Sequence, residues 1–385
     1  MSRAASSGGG AVHLPLCLDG SDAPVCEVWV GRDVLSLSEP AVLDALRVWL
    51  HGRTLFVVSS PQILGLHAAR LEPLRALAER TVFLSVPDGE KAKSLAYADE
   101  LWQSMLEAGG KRDSRLVAFG GGSVGDLGGF VAACFLRGIE FAQVPTTLLA
   151  QVDASIGGKT AVDMPQGKNF VGAFHQPRFV LTDTSLLSTL PGGELRAGLV
   201  EAVKKAALLD GALLARMEKD LEALLRGDGE VLAPVVAGAV RLKLDVVARD
   251  ETEAGLRKVL NFGHTLAHAV EQQLGYRGLR HGEAVAYGIL FAVRLAELRG
   301  LLQDDLGERL RRLFGRFELP PLPVDDLSMD GMLAAMAKDK KAGRSGLTWV
   351  LPSGLESYVF DSDVGTAQVE SLLQRFLAQP WEAGG

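Results

Sequence analysis

Cysteine is scarce. Cys17, Cys26 and Cys134 are the only three in 385 residues, and none forms a CxxC pair, so a disulfide framework or a thiolate metal site is not expected. No apolar run reaches the roughly 18–20 residues that cross a bilayer, which excludes a membrane partner of the helical kind. Basic charge is also short: 40 Lys+Arg against 47 Asp+Glu leave a net −7, contrary to what a nucleic-acid binder needs. Met1–Gly10 has no basic stretch followed by an apolar one, so we expect no secretory leader and a flexible tail over residues 1–11. The HExxH spacing of zinc proteases is missing as well. These absences together point to a reduced, cytoplasmic protein.

Glycine is abundant. There are 44, where a share of roughly 7% would give about 27. Nine of them lie between Gly109 and Gly138, so the excess answers a local demand. The length allows two domains with ample core. Apolar runs at Arg53–Ser60, Thr81–Val86, Arg115–Phe119, Phe141–Pro145 and Phe179–Thr182 alternate with helical stretches such as Gln62–Arg80 and Lys91–Ala108. That alternation predicts βαβ units and a mainly parallel sheet, an α/β Rossmann-like domain over residues 12–185. Beyond it, Leu195–Leu209, Leu213–Leu225, Val231–Ala248, Val259–Leu274 and Ala284–Arg299 carry helical periodicity, which predicts a mostly α-helical domain over 186–385. Gly346–Leu351 is a candidate late strand.

Within the first half, Gly120, Gly122 and Gly125 satisfy GxGxxG between a strand and an apolar helix, a place where bare backbone can approach a pyrophosphate. The acid usually found about 20 residues on is not clearly present, since Glu140 precedes the next strand. Asp88-Gly89-Glu90 with Lys93, and Thr146-Thr147, follow other strands and favour a nucleotide crevice. In the second half, His264 and His268 stand at i, i+4 on one helix face, and His281 follows 13 residues later. A metal needs neutral imidazoles with a carboxylate, for which Glu201, an acid inside an apolar helical run, is the candidate. Lysines beside glycines, in Gly157-Gly158-Lys159-Thr160 and Gly167-Lys168-Asn169, read as loop cations. With Arg137 and Lys340-Lys341 they suggest a small polyanionic substrate.

These blocks resemble the 3-dehydroquinate synthase family, within the sugar phosphate cyclases. The resemblance rests on DGEKAKS (88–94), GGGSVGDLGGF (120–130), LRGIEFAQVPTTLLAQVDASIGGKTAV (136–162) and GKNFVGAFHQP (167–177). It continues through AGLVEAVKKA (197–206), DETE (250–253), LNFGHTLAHAVE (260–271), HGEAVAYG (281–288) and DKK (339–341). It implies that Glu201, His264 and His281 hold zinc, or cobalt, with His268 near the metal but not a ligand. It also implies NAD over Asp88, Gly89, Glu90, Lys93, Gly122, Ser123, Val124, Gly125, Asp126, Thr146, Thr147, Lys159, Lys168 and Leu186, Leu187, Ser188, Thr189. Asp153, Lys159, Asn169, Lys204, Lys243, Arg257, Asn261 and one of Lys340 and Lys341 would bind a phosphorylated sugar acid, and His268 would support the site or relay protons. Arg137 would reach the partner's site in a homodimer.

The implied reaction turns 3-deoxy-D-arabino-heptulosonate 7-phosphate into 3-dehydroquinate and phosphate. Its steps are transient NAD oxidation, phosphate β-elimination, re-reduction, ring opening and aldol closure. Three positions depart from the family pattern: Ser123 in GGGS, Asp163 in place of Asn, and Ala267 in place of Gly. The alternatives are another sugar phosphate cyclase and a metal-dependent polyol dehydrogenase of the glycerol type, which shares the GGGSxxD loop. The lysines of KTAV…GKN speak against the dehydrogenase.

Overall fold

Strands buried on both faces read as unbroken apolar runs, and the first half of the chain uses its runs in that way. A computed structural model describes residues 11–341 and 347–380, so all but Ala11 of the expected tail lies outside it. The strands are β1 (Val12–Leu16), β2 (Cys26–Gly31), β3 (Thr54–Ser59), β4 (Arg80–Ser85), β5 (Arg115–Gly120), β6 (Phe141–Pro145), β7 (Lys159–Met164), β8 (Gly167–Phe174) and β9 (Phe179–Asp183). Seven of them form one sheet in the order β1-β2-β9-β6-β5-β3-β4. All its neighbours are parallel except β1, which pairs antiparallel with β2 at one edge and carries Pro15 where a missing N–H is tolerated. Along β3, Leu55 and Val57 enter one apolar cluster and Phe56 and Val58 the other. Each such burial stabilises the fold by about 1.5–3 kcal/mol.

Several elements differ from expectation for identifiable reasons. The helix expected over 62–80 breaks into Pro61–His67, a 3-10 turn and Glu72–Arg75, because Pro73 has no N–H to donate and crowds the preceding turn. The helix expected over 259–274 breaks at Gly263, whose φ of +81° ends the 3-10 turn Leu256–Asn261 before His264–Gln273 begins. The lysines read as loop cations lie on strands instead: β7 and β8 form an antiparallel hairpin that carries Lys159, Lys168 and Asn169. The late strand is one arm of a second hairpin, β10 (Trp349–Gly354) with β11 (Ser357–Asp361).

The chain divides into two compact units, Met1–Pro191 with Gly227–Thr252, and Gly192–Arg226 with Glu253–Gly385. The helix Gly229–Arg249 therefore groups with the sheet, not with the helical part expected from residue 186 onward. It packs on β1 and β2, and periodicity alone could not show which layer it covers. The second unit is built on the helices Gly192–Leu209, His264–Gln273 and His281–Leu298, with the β10–β11 hairpin against the last of these.

The helix Gly122–Cys134 lies on the sheet through glycine. A Cβ on Gly129 would stand 2.3 Å from Thr160 Cγ2 and 3.1 Å from the Phe141 ring. Gly129→Ala is therefore expected to destabilise the protein by about 1–3 kcal/mol, even though alanine favours a helix. An unchanged urea midpoint would refute this close packing.

Candidate functional site

The parallel strands of the first unit end on one rim. There β4 leads to Asp88–Lys93, β5 to the glycine loop, β6 to Thr146 and Thr147, and β9 to Leu186–Thr189. The sheet order reverses beside β3, with β4 on one side and β5 on the other, and that switch is where open α/β sheets take ligands. Two buried hydroxyls on the rim, Ser59 Oγ and Thr146 Oγ1, have no hydrogen-bond partner among the described residues. The helix Gly122–Cys134 begins at Gly121 with no side chain capping it. Unmet donors and a bare helix start are the features a nucleotide phosphate needs, so the rim fits NAD. Ser59 was not expected here, because at the end of an apolar strand it looks like ordinary punctuation.

The expected cofactor residues divide on inspection. A Cβ on Gly125 would fall 2.4 Å from Gln143 Oε1, so this glycine serves the packing of the helix on β6. The side chains of Val124 and Leu186 enter the core clusters, and Leu187 is buried, while Ser188 and Thr189 stay exposed. Glu140 donates no help to a ribose: it accepts from Trp49 Nε1 at 3.0 Å and pairs with Arg115 at 2.9 Å, at the opposite end of β6 from the rim. Lys93 is buried. Its ammonium donates to Asp126 at 2.8 Å and to Asn169 Oδ1 at 2.5 Å, with Asp163 at 3.9 Å. Burial lowers its pKa, but Asp126 and Glu90 outweigh that and raise it, so it stays charged.

Two of the departing positions belong to this network. Ser123 Oγ donates to Glu90 at 3.0 Å, and Asp163 accepts the Asn169 N–H at 3.0 Å. Lys168 pairs with Glu90 at 3.2 Å. Buried Lys243 pairs with Asp153 at 2.9 Å and also donates to its carbonyl at 2.7 Å. Exposed Lys159 opens β7.

In the second unit, Glu201, His264 and His281 each bring one ligand atom to a common point, all within 4.8 Å of one another. Close backbone approach makes this convergence possible. Gly282 touches the Ala197 carbonyl, where a Cβ would come to 2.1 Å, which seats the His281 helix against the Glu201 helix. At Gly288 a Cβ would come to 1.8 Å from the Gly263 carbonyl, which draws the His264 helix to the same partner.

Glu201 is 1% exposed, and neither of its oxygens accepts a hydrogen bond of good geometry from the described residues. The Lys204 ammonium, one turn along, makes an ion pair with it. Both imidazoles turn Nε2 toward its Oε1, at 3.9 Å for His264 and 3.7 Å for His281. Behind them, His264 Nδ1 faces the Phe262 carbonyl at 3.3 Å and His281 Nδ1 faces both oxygens of Glu271 at 3.3 Å.

Acceptors behind both rings place the proton on Nδ1 and leave Nε2 free to ligate. Burial, then Lys204 and the other two imidazoles, hold His264 well below the ordinary histidine pKa, so this ring is neutral. For His281 burial acts downward, but Glu271 and Glu201 outweigh it and raise the pKa. A buried, underpartnered carboxylate and two oriented imidazoles fit a divalent cation.

His268, the i+4 partner expected to lie near the metal without ligating, is exposed, with ring centres 5.3 Å from His264 and 6.4 Å from His281. Arg257 is buried, and Asn261 Nδ2 donates to Glu253 at 2.6 Å. Lys340 and Lys341 close the helix Met329–Lys341, and their side chains lie outside the described residues.

Two family models match the chain, 3-dehydroquinate synthase N-terminal over residues 83–197 and 3-dehydroquinate synthase C-terminal over 198–342. The 3-dehydroquinate synthase of Shewanella loihica is 38% identical over 352 residues, which span 91% of this chain and 96% of that one. The chain belongs to the 3-dehydroquinate synthase family. Its fold is shared with other cyclases. The 2-epi-5-epi-valiolone synthase of Streptomyces hygroscopicus, solved with NAD+ and Zn2+, aligns with a TM-score of 0.83 at 29% identity, covering 94% of this chain and 99% of that one. A 2-deoxy-scyllo-inosose synthase solved with carbaglucose-6-phosphate, NAD+ and Co2+ gives 0.81 at 26%, covering 95% and 99%. Both cyclases are less like this chain in sequence than the Shewanella synthase, although they cover as much of it.

The spacing of the three donors depends on the close approach at Gly288, and a substitution there tests it. Gly288→Ala should push the His264 helix away at a cost at or above the upper end of about 1–3 kcal/mol, and should lower bound zinc below one per chain. Full zinc content by atomic emission would show that the glycine contact does not set the donor spacing.

Proposed function

We propose that this chain converts 3-deoxy-D-arabino-heptulosonate 7-phosphate into 3-dehydroquinate and inorganic phosphate, as a phosphate-eliminating lyase using NAD and a divalent metal. The observation that carries this reading is the convergence of Glu201, His264 and His281 in a chain of the 3-dehydroquinate synthase family. When bound, the cation supplies positive charge that lowers the cost of ionising a nearby substrate hydroxyl, and NAD supplies a reversible hydride acceptor.

In this reading the first unit holds NAD at the strand rim. Glu90 and Lys93 order the approach to it, and Thr146 offers an unmet hydroxyl. Buried Lys204 and Arg257 in the second unit, with Asn261, bind the oxyanions of the substrate. In the first unit, Lys243, held by Asp153, and Lys159 and Asn169 on the hairpin are the groups that the family resemblance gives for substrate. Fixed cations of this kind hold one conformer through successive steps and stabilise the charge that develops. His268, exposed beside the donor set, relays protons. The three free cysteines agree with a reduced cytoplasmic setting, and no helix among the described residues is long and apolar enough to cross a membrane. His264→Ala should lose both metal and turnover. Wild type should release phosphate and form 3-dehydroquinate with no net NADH at 340 nm; steady NADH accumulation would point to a dehydrogenase instead.

A homodimer in which Arg137 serves the partner's site is the finer part of the proposal. Leu136 and Arg137 are successive non-glycine residues in the left-handed region, at φ 49° and 72°. Such backbone costs about 1–2 kcal/mol per residue. Arg137 is exposed there and makes no hydrogen bond or ion pair among the described residues. The strand β8 of the same unit exposes Phe170, Val171 and Phe174, apolar area suited to a second copy. Arg137→Ala should lower turnover about 100-fold or more. Co-assembly of Arg137→Ala with His264→Ala subunits should restore up to about a quarter of wild-type activity, because half of the mixed dimers' sites are whole. No recovery on mixing would place Arg137 in its own subunit's site.

A further inference from the structure

Resting on the metal reading above, we infer that Glu271 is a positioning residue that holds His281 in its ligating orientation and so sets how tightly the cation is bound. Glu271 is buried on the helix His264–Gln273, seven residues after His264, which is two turns along the same face. One helix therefore supplies a donor and, from its far end, the group behind another donor. Both Glu271 oxygens lie 3.3 Å from His281 Nδ1, on the opposite side of the ring from Nε2, which faces Glu201 at 3.7 Å.

His281 needs such a support more than His264 does. Each histidine is the first residue of its helix, but the His281 side chain is 33% exposed against 13% for His264, so fewer neighbours hold it. A ring so placed can turn about χ1 and χ2 unless something fixes its rear nitrogen. A carboxylate there fixes both the orientation and the Nδ1–H tautomer, and its charge makes Nε2 a stronger donor. The family resemblance assigned Glu271 no role.

The test uses the full-length protein stripped of metal, and measures its Co2+ dissociation constant by chelator competition together with the visible spectrum of the bound ion. Glu271→Ala should weaken Co2+ about 10–100-fold and shift its d–d bands as His281 reorients. Glu271→Gln keeps the shape and an acceptor but not the charge; it should fall between Ala and wild type, and it carries the test if the alanine variant does not fold. A merely structural role would lower the unfolding temperature of the metal-free protein and leave the Co2+ constant and spectrum as they are, which would overturn the inference. A wild-type chain that fails to take up one Co2+ would instead overturn the metal reading itself, and this inference with it.

Discussion

A carboxylate sealed from water at the centre of a helical unit is tolerable only where positive charge stands against it, and Glu201 imposes that demand on everything around it. Lys204 meets part of it from one turn away. The remainder suits a cation shared with two imidazoles that turn Nε2 to the same oxygen, and those imidazoles need acceptors behind them, from the Phe262 carbonyl and Glu271. The glycine contacts at Gly282 and Gly288 are the geometric expression of the same demand. Three helices have to approach within backbone contact before three short side chains can share one point. The chemistry of the second unit thus follows from one buried charge and the packing that encloses it.

The first unit answers a different constraint. A parallel sheet covered on both faces puts its polar groups at the strand ends, so one rim receives the glycine loop, Thr146, Asp88 and Lys93 together. Glycine here has two duties that composition cannot separate. Gly125 and Gly129 let the helix settle on the sheet and the hairpin, whereas Gly121 leaves the helix start open.

Much of this was legible in the residues. The runs TLFVVS and RLVAFG declared strands because apolar, largely β-branched and aromatic residues follow one another at their centres, FAQVP did so with Gln143 as its one polar residue, and the glycine loop declared its turn. The β7–β8 hairpin was not legible. Its residues GKNFVGAF are half exposed and gain strand character only from pairing with β7. The layer covered by the helix Gly229–Arg249 was equally hidden, since an apolar stripe does not name the surface it meets. At the metal point, spacing showed His264 and His268 on one helix face, yet His268 faces solvent while Glu201 and His281 come from other helices. The residues offered Glu201 with all three histidines, and only the resemblance set His268 apart from the ligands. Glu271 escaped both kinds of reading.

Three of the cations we propose for ligand binding are already partnered: Lys93 with Asp126 and Asn169, Lys243 with Asp153, Lys168 with Glu90. An incoming anionic group therefore trades places with a resident one, and what it gains is the difference between two ion pairs rather than the whole of a new one. Such an exchange leaves affinity modest for any single contact and demands that several be made at once, so a fragment bearing phosphate alone finds little hold. The pairing also lets a chain with a net charge of −7 hold these lysines in place without presenting an open positive field to every passing polyanion.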